Sequence, residues 1–182
     1  MELNKTVDSL KKYVTDSVVD SLPSRLRDTF YLRAFGFFKV PLLYFTRPTV
    51  VELTEKRCAV KIALTRKTKN HLNSMYFGTF AVGADCAGGL MAMKHIRAHG
   101  DQVSLIFKDF QAHFLKRAHA DVLFTCEDGE GIRDLIQKAM KTGERQSMPV
   151  HVVATVKADQ GDEPVAKFVL TLSVKRKKKA VA

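Results

Sequence analysis

Residues 70–93 read Asn-His-Leu-Asn-Ser-Met-Tyr-Phe-Gly-Thr-Phe-Ala-Val-Gly-Ala-Asp-Cys-Ala-Gly-Gly-Leu-Met-Ala-Met and carry the strongest structural signal in the chain. Eight of the fifteen residues from Gly78 to Ala92 are Gly or Ala. Because each glycine weakens a helix by roughly 1 kcal/mol, a helix this rich in glycine needs a compensating contact. A helix without bulky side chains lets a sheet approach its backbone. We therefore predict a closely packed central helix that continues to about Ala98.

Asp85 is the only residue with a full formal charge between residues 70 and 93. A carboxylate on an otherwise apolar, closely packed helix is costly unless it is paired, hydrogen-bonded or used in chemistry. One interpretation places Asp85 on the solvent edge of the helix or as a cap on a nearby loop. The other makes Asp85 a catalytic carboxylate. This stretch alone leaves both interpretations open.

Strand patterns lie on both sides of the predicted helix. Apolar and polar residues alternate over 51–54 and 58–64, which predicts a hairpin that turns near Glu55 to Arg57. A polar loop over 65–70 then leads into the helix. After the helix, four further strands are predicted over about 103–114, 122–126, 147–158 and 164–175, with a short helix inside 129–145 and turn residues at 159–162.

Two helices are predicted before the first strand, over residues 3–22 and 24–38, the first from apolar residues at three- and four-residue spacing. The whole pattern is one long helix early among about six strands. Such an order is typical of an α+β domain. We predict an antiparallel sheet that curls around the Gly/Ala-rich helix, preceded by an N-terminal helical extension.

The segment between Phe30 and Phe45 holds seven of the sixteen aromatic residues of the chain. We expect this segment to pack over the sheet or over the mouth of a pocket, because seven exposed rings would leave a large apolar patch. A lid or the wall of an acyl pocket is a more specific interpretation of the same rings. Contact with a membrane surface is the third.

Composition narrows the class of protein. The chain has 182 residues and is 46% hydrophobic, which fits one domain with a real core. It contains no run of 18 apolar residues and no signal sequence at its start, so we expect no transmembrane span. Cys58, Cys86 and Cys126 are odd in number and widely spaced. They predict no disulfide framework and no metal site, and they favour a reducing cytoplasm.

The net charge of +11 favours anionic partners. The run from Lys175 to Lys179 supplies five of the positive charges, and a solvated basic tail is its favoured interpretation. A nucleic-acid binder is a competing hypothesis on charge alone. The sequence has no zinc finger, recognition-helix motif or RNA-binding aromatic motif, so nucleic acid is not the expected partner.

The helix entry resembles the motif of hotdog-fold thioesterases, in particular the phenylacetyl-CoA-type branch. That motif reads Asn-x-x-Gly-x-x-His-Gly-Gly, with an acidic residue nine positions after the His. Here Asn70 stands at the motif Asn, Asn73 at its first Gly and Gly78 at its last. Tyr76 and Phe77 replace the His and the following Gly. The resemblance covers about residues 45–175 and implies the hotdog fold.

The resemblance also implies a site and a reaction. Asp85 falls nine positions after Tyr76, where the family carries its catalytic carboxylate, and would act as general base or nucleophile on an acyl-CoA thioester. Backbone N–H groups at Phe77 and Gly78 would form the oxyanion hole, and Asn70 would orient the water or the thioester carbonyl. The remaining expected positions are Tyr76 as a hydrogen-bond donor in the catalytic group, and His71, Asn73 and Phe80 as substrate-binding residues.

The replacements at Tyr76 and Phe77 motivate an alternative, a non-catalytic hotdog protein that binds acyl-CoA or a fatty acyl group. Both hypotheses require no cofactor other than the coenzyme A of the substrate, whose phosphates Lys and Arg would hold. The fold family implies a homodimer or a dimer of dimers. The expected organisation is a helical extension over 1–45, a hotdog domain over 46–175 and a basic tail over 176–182.

Overall fold

The computed structural model describes residues 19, 21–100, 102–158 and 161–177. Most of the helix predicted over 3–22, part of the turn predicted over 159–162 and the end of the basic tail lie outside these residues. In chain order the elements are α1 (Ser24–Lys39), α2 (Pro41–Thr46), β1 (Thr49–Leu53), β2 (Cys58–Ile62), α3 (Phe77–Ala98), β3 (Val103–Phe114), β4 (Val122–Cys126), α4 (Gly129–Thr142), β5 (Gln146–Ala158) and β6 (Gly161–Arg176). The predicted hairpin, central helix and four later strands are confirmed.

The six strands form one sheet in the order β1-β2-β4-β5-β6-β3. Every pair of neighbouring strands is antiparallel. The sheet is irregular at Val50/Glu52, Phe107/Phe110 and Ala154/Thr155, where the register shifts. Such bulges bend a strand and increase its twist, which lets the sheet curl around the helix. Strand β3 lies at one edge of the sheet and is twelve residues long.

The central helix α3 packs on the sheet through its small residues. A Cβ atom added at Gly83 would overlap the ring of Phe124 on β4, and one at Gly88 would lie 3.3 Å from Val150 Cγ1 on β5. Phe124 and Val150 are fully buried. Gly83 and Gly88 therefore allow close contact between helix and sheet because they carry no side chain there, as the sequence predicted.

Helices α1 and α2 form a corner that is attached to the first strand. Thr29 Oγ1 accepts a hydrogen bond of 2.9 Å from the backbone N–H of Val50. Arg33 Nε donates to the carbonyl of Pro48 at 3.1 Å. A Cβ atom at Gly36 would lie 2.7 Å from the backbone nitrogen of Tyr44, so this glycine lets α2 fold back closely on α1. The sequence patterns did not predict α2.

The segment packs on β1 and on the core, as expected, but its aromatic rings do not cover the sheet. The corner instead buries Thr29, Leu32 and Gly36 from α1 and Leu43 and Thr46 from α2. None of the seven rings is buried, and five are largely exposed to solvent, namely Phe30, Phe35, Phe37, Tyr44 and Phe45. Thr29 anchors the corner to β1 by its hydrogen bond, Leu32 and Leu43 pack into the core, and the aromatic side chains stay accessible to solvent.

The three cysteines are free thiols in the core. Cys58 on β2 and Cys126 on β4 are opposite each other in the sheet, and Cys86 lies on α3. Their burial raises the pKa of all three thiols. No helix in the described part of the chain is long and apolar enough to cross a membrane.

Candidate functional site

The loop before α3 is fixed to the helix entry by main-chain hydrogen bonds. The carbonyl of Thr68 accepts from the backbone N–H of Tyr76 at 2.9 Å and from the hydroxyl of Thr79 at 3.2 Å. The N–H of Met75 donates to the carbonyl of Ala118 at 2.9 Å. These contacts set the position of the first helical turn, whose N–H groups carry the positive end of the helix dipole.

The backbone N–H groups of Phe77 and Gly78 have no acceptor among the described residues. The helix begins after Tyr76, and no side chain caps it. The next two N–H groups, of Thr79 and Phe80, both donate to the carbonyl of Tyr76. Two adjacent donors at the start of a helix are therefore free to bind an oxygen atom that carries negative charge.

Asn70 holds the loop in shape. Its Oδ1 accepts from the backbone N–H groups of Leu72 at 2.9 Å and Ser74 at 3.2 Å, and its Nδ2 donates to Ser74 Oγ at 3.1 Å. The side-chain oxygen is thus engaged within the loop, and one N–H of the amide remains for a ligand. Its predicted contact with water or a thioester stays a prediction.

Asn73 has a positive φ of 58°. This left-handed conformation is easy for glycine, and asparagine tolerates it better than most other residues. The conformation explains why Asn73 can occupy the position of a motif glycine. Its Oδ1 accepts from Lys69 Nζ at 2.7 Å, while His71 is exposed, with no hydrogen bond to another described residue. Substrate binding by Asn73 and His71 stays a prediction.

Asp85 is half-buried on α3, and its carboxylate forms no hydrogen bond or ion pair with any residue that the structure describes. Desolvation by burial raises the pKa of this carboxyl above its ordinary value. A Cβ atom at Gly89, one turn later, would lie 3.9 Å from Asp85 Oδ1 and 3.9 Å from the ring of Phe107 on β3. Gly89 therefore keeps this side of the helix free of a side chain beside the carboxylate.

The carboxylate and the two free donors share one face of the helix. Gly78, Ala81, Asp85 and Gly89 follow one another at three- and four-residue spacing, and all four are half-buried. Gly78 and Asp85 are separated by roughly 10 Å along the axis, at ~1.5 Å per residue. The small residues between them leave an open edge of the helix from the donors to the carboxylate.

Tyr76 and Phe77 stand beside the free donors with their rings exposed. Their ring centroids are 4.8 Å apart. The ring of Tyr76 lies against Gly78, where an added Cβ atom would come within 2.6 Å of it. Gly78 is therefore required by its neighbour as well as by the motif. The hydroxyl of Tyr76 has no partner within the described residues and is free to donate to a ligand.

Phe80 lies in the core and not in the open part of the site. It is 3% exposed and contacts the rings of Phe114, Phe124 and Phe168 at centroid distances of 5.6, 5.9 and 6.2 Å. Phe114 is on the edge strand and is itself 51% exposed. Phe80 thus connects the first turn of α3 to β3, and its predicted contact with substrate stays a prediction.

Sequence reasoning missed the groups that position the helix entry. Thr68 and Ala118 contribute backbone carbonyls, which carry no residue-type signal. Thr79 and Thr68 are both buried polar residues, and a buried threonine at the start of a helix is the signal that could have identified one of them. Across the described residues, no group of three or more His, Cys, Asp or Glu side chains could hold a metal ion.

Comparison with solved structures identifies the architecture. A Pseudomonas aeruginosa protein of unknown function, described as a probable thioesterase, has 21% sequence identity and a TM-score of 0.66, and the match covers 85% of this chain and 97% of that chain. A Chlorobaculum tepidum protein of unknown function has 11% identity and a TM-score of 0.71 over 84% of this chain and 96% of that chain. A thioesterase family protein from Silicibacter pomeroyi has 15% identity and a TM-score of 0.59 over 81% and 98% of the two chains.

With its curled antiparallel sheet and long helix, the chain has the α+β hotdog fold that the sequence predicted. Residues 30–174 match the family of domains of unknown function called DUF4442, and the chain belongs to that family. No curated protein matches the sequence.

Proposed function

We propose that this protein hydrolyses an acyl-CoA thioester at the site formed by Asp85 and the start of α3. The observation that carries the proposal is the presence, on one helix face, of a carboxylate and two backbone donors that have no partner among the described residues. The structural likeness to proteins described as thioesterases supports it. The helix-entry motif favours the phenylacetyl-CoA-type branch of those enzymes.

The two groups supply the two requirements of thioester hydrolysis. The N–H groups of Phe77 and Gly78 bind the carbonyl oxygen and stabilise the negative charge that develops on it as the carbon is attacked. Asp85 removes a proton from the attacking water, and its raised pKa suits a general base that works near neutral pH. Asn70 and Tyr76 each retain a donor that can orient water or the thioester.

The separation along the helix favours one of the two proposed roles of Asp85. Roughly 10 Å along the axis leaves room for a carbonyl group and one water molecule between the donors and the carboxylate. A nucleophilic carboxylate must approach the carbonyl carbon to about 3–3.5 Å. We therefore favour general-base catalysis where donors and base come from one chain. A nucleophilic role would require Asp85 of a second copy.

The edge strand β3 supports a homodimer, in which two sheets join edge to edge. Along its length this strand carries three exposed apolar residues: Ile106 is 49% exposed, Phe110 is 42% exposed and Phe114 is 51% exposed. A long, apolar edge strand is a template for pairing with another chain. In such a dimer each site lies beside the partner's edge strand.

The test is turnover of a panel of acyl-CoA esters, measured by capturing the released CoA with a thiol reagent. Asp85→Asn keeps the shape of the side chain and removes its basicity. We expect turnover to fall by ~10²-fold or more while the substrate still binds. Asp134→Asn is the matched control, because Asp134 is an exposed aspartate on α4. Wild-type turnover in Asp85→Asn would remove this mechanism.

A second candidate function is acyl-CoA binding without hydrolysis. The observation that favours it is the ring of Tyr76, which lies against Gly78 where the family motif has a histidine. A phenol can donate a hydrogen bond to a bound thioester, but it lacks the second ring nitrogen through which an imidazole can relay a proton. The same panel separates the candidates: a pure binder retains acyl-CoA in equilibrium dialysis and releases no CoA above background.

A further inference from the structure

The corner between α1 and α2 presents several large apolar side chains to solvent. Phe37 is 56% exposed, Leu42 59%, Tyr44 44% and Phe45 51%. The rings of Phe37 and Tyr44 are in edge contact, with centroids 5.1 Å apart, so side chains of the two helices form one surface. We call these four residues the aromatic corner. Large exposed apolar patches of this kind mark interaction sites on soluble domains.

A cationic groove lies directly beside the aromatic corner. Its volume is about 320 Å³, and four basic residues line it, together with Phe45 and threonine hydroxyls: Arg33, Arg47, Lys61 and Lys67. Among the described residues, no carboxylate lines this groove. The Nζ of Lys67 lies 5.1 Å from the centroid of the Phe45 ring. Phe45 therefore belongs to both features and joins them.

Two of the four cations are free to bind an anion. Lys61 pairs with Asp121 at 3.4 Å. Arg33 donates to the carbonyl of Pro48 and to the hydroxyl of Thr49, so it shapes the groove. The side chains of Arg47 and Lys67 form no ion pair within the described residues. The groove thus keeps a net positive charge that neighbouring carboxylates do not neutralise.

We propose that the aromatic corner and the cationic groove bind the surface of an anionic phospholipid bilayer. The exposed rings and Leu42 enter the interface between headgroups and acyl chains, where aromatic side chains are favoured. Arg47 and Lys67 contact lipid phosphate groups at the level of the groove. A soluble phosphate compound would satisfy the groove and leave the aromatic corner in water, whereas a bilayer surface satisfies both. The surface is separate from Asp85, and bilayer binding is a function additional to thioester hydrolysis.

The experiment is sedimentation of the full-length protein with vesicles, which does not depend on thioester turnover. Vesicles of phosphatidylserine and phosphatidylcholine are compared with phosphatidylcholine alone, at low and high salt. We expect binding to the anionic vesicles that weakens as salt rises. Equal binding to both vesicle types, or no binding to either, would overturn the proposal.

Paired variants locate the contact. Arg47→Asn with Lys67→Gln removes two charges, and asparagine suits the positive φ of 52° at Arg47. At about fivefold per basic residue near an anionic surface, we expect roughly 25-fold weaker binding. Phe37→Ser with Leu42→Ser should weaken binding by about tenfold or more. Lys138→Gln with Lys141→Gln, on the exposed side of α4, removes the same charge and should change binding by less than about twofold.

Three results would assign the surface differently and overturn the proposal. If Lys177, Lys178 and Lys179 changed to Gln abolish vesicle binding while the groove variant retains it, the basic tail alone is responsible. If the Phe37/Leu42 variant changes the oligomeric mass but not vesicle binding, the corner is a contact between copies of the chain. If inorganic phosphate binds the groove in calorimetry and vesicles do not bind, the groove is a site for a small soluble anion.

Discussion

At the scale of the residue, Asp85 affects both the stability of the fold and the proposed reaction. Its carboxyl is half-buried, receives no hydrogen bond from another described residue, and has its pKa raised by desolvation. An acid whose pKa is higher in the folded state than in the unfolded state destabilises the fold when ionised. The group that makes the site reactive therefore costs folding free energy at neutral pH. Such an opposition is common at functional sites.

We predict that Asp85→Asn is more stable than the wild type at pH 7.5. Below the ordinary pKa of about 3.8 the carboxyl is protonated in both states, so the difference should vanish there. It should grow as pH rises through the raised pKa of the folded state, and then stay constant. Urea midpoints of the two proteins across this pH range measure the difference. Equal midpoints at pH 7.5 would contradict the explanation that burial raises the pKa of this carboxyl.

Some residues of the candidate site could be identified individually from the sequence. The lone charge of Asp85 stands out because nothing near it in sequence is charged, and the structure gives it no partner within the described residues. The positive φ of Asn73 was not readable, since asparagine also occurs in ordinary loop conformations. The carbonyl of Thr68, which fixes the helix entry, is a backbone group. Backbone groups acquire roles only through the fold.

At the scale of the element, α3 shows glycine used for two different purposes. At Gly83 the sheet occupies the space of a side chain, because a Cβ atom there would overlap Phe124. At Gly89 the nearest atoms to an added Cβ are 3.9 Å away, which is ordinary contact. The first glycine is required by packing, whereas the second is not, and it keeps the helix free of a side chain beside Asp85.

We predict opposite effects of alanine at these two positions. Gly83→Ala should destabilise the protein by about 1–3 kcal/mol, because overpacking forces the helix or Phe124 to move. Gly89→Ala should be neutral or stabilising by up to ~1 kcal/mol, since alanine is the better helix former. Denaturant unfolding of the two variants beside the wild type is the measurement. Equal loss of stability in both would contradict this account of the helix.

The elements themselves differed in how well sequence predicted them. Strands could be predicted because alternation of apolar and polar residues indicates a strand with one buried face. The six-residue helix α2 could not, because a helix this short has less than two turns of periodicity. The direction of the aromatic rings on α1 and α2 was predicted wrongly. The sequence shows that a residue is apolar but does not show what covers it.

At the scale of the whole molecule, the edge strand β3 is the largest exposed backbone surface of the sheet. If it pairs with the same strand of a second copy, a charge placed on it should separate the copies. We predict that Ile106→Lys yields a smaller particle than the wild type in sedimentation velocity. Leu26→Lys is the control, because Leu26 is equally apolar, is 57% exposed and lies on α1. An Ile106→Lys particle of unchanged mass would place any dimer contact elsewhere.

The three buried thiols can report on local opening of the folded protein. Burial raises the pKa of Cys58 to about 12 and that of Cys126 to about 11, and it raises the pKa of Cys86 as well. Only thiolates react quickly with alkylating agents, so the thiols of the folded protein react very slowly with them. Each thiol lies in a different element of the core: Cys58 is on β2, Cys86 on α3 and Cys126 on β4. Their order of modification over hours therefore records which of β2, α3 and β4 separates first from the others.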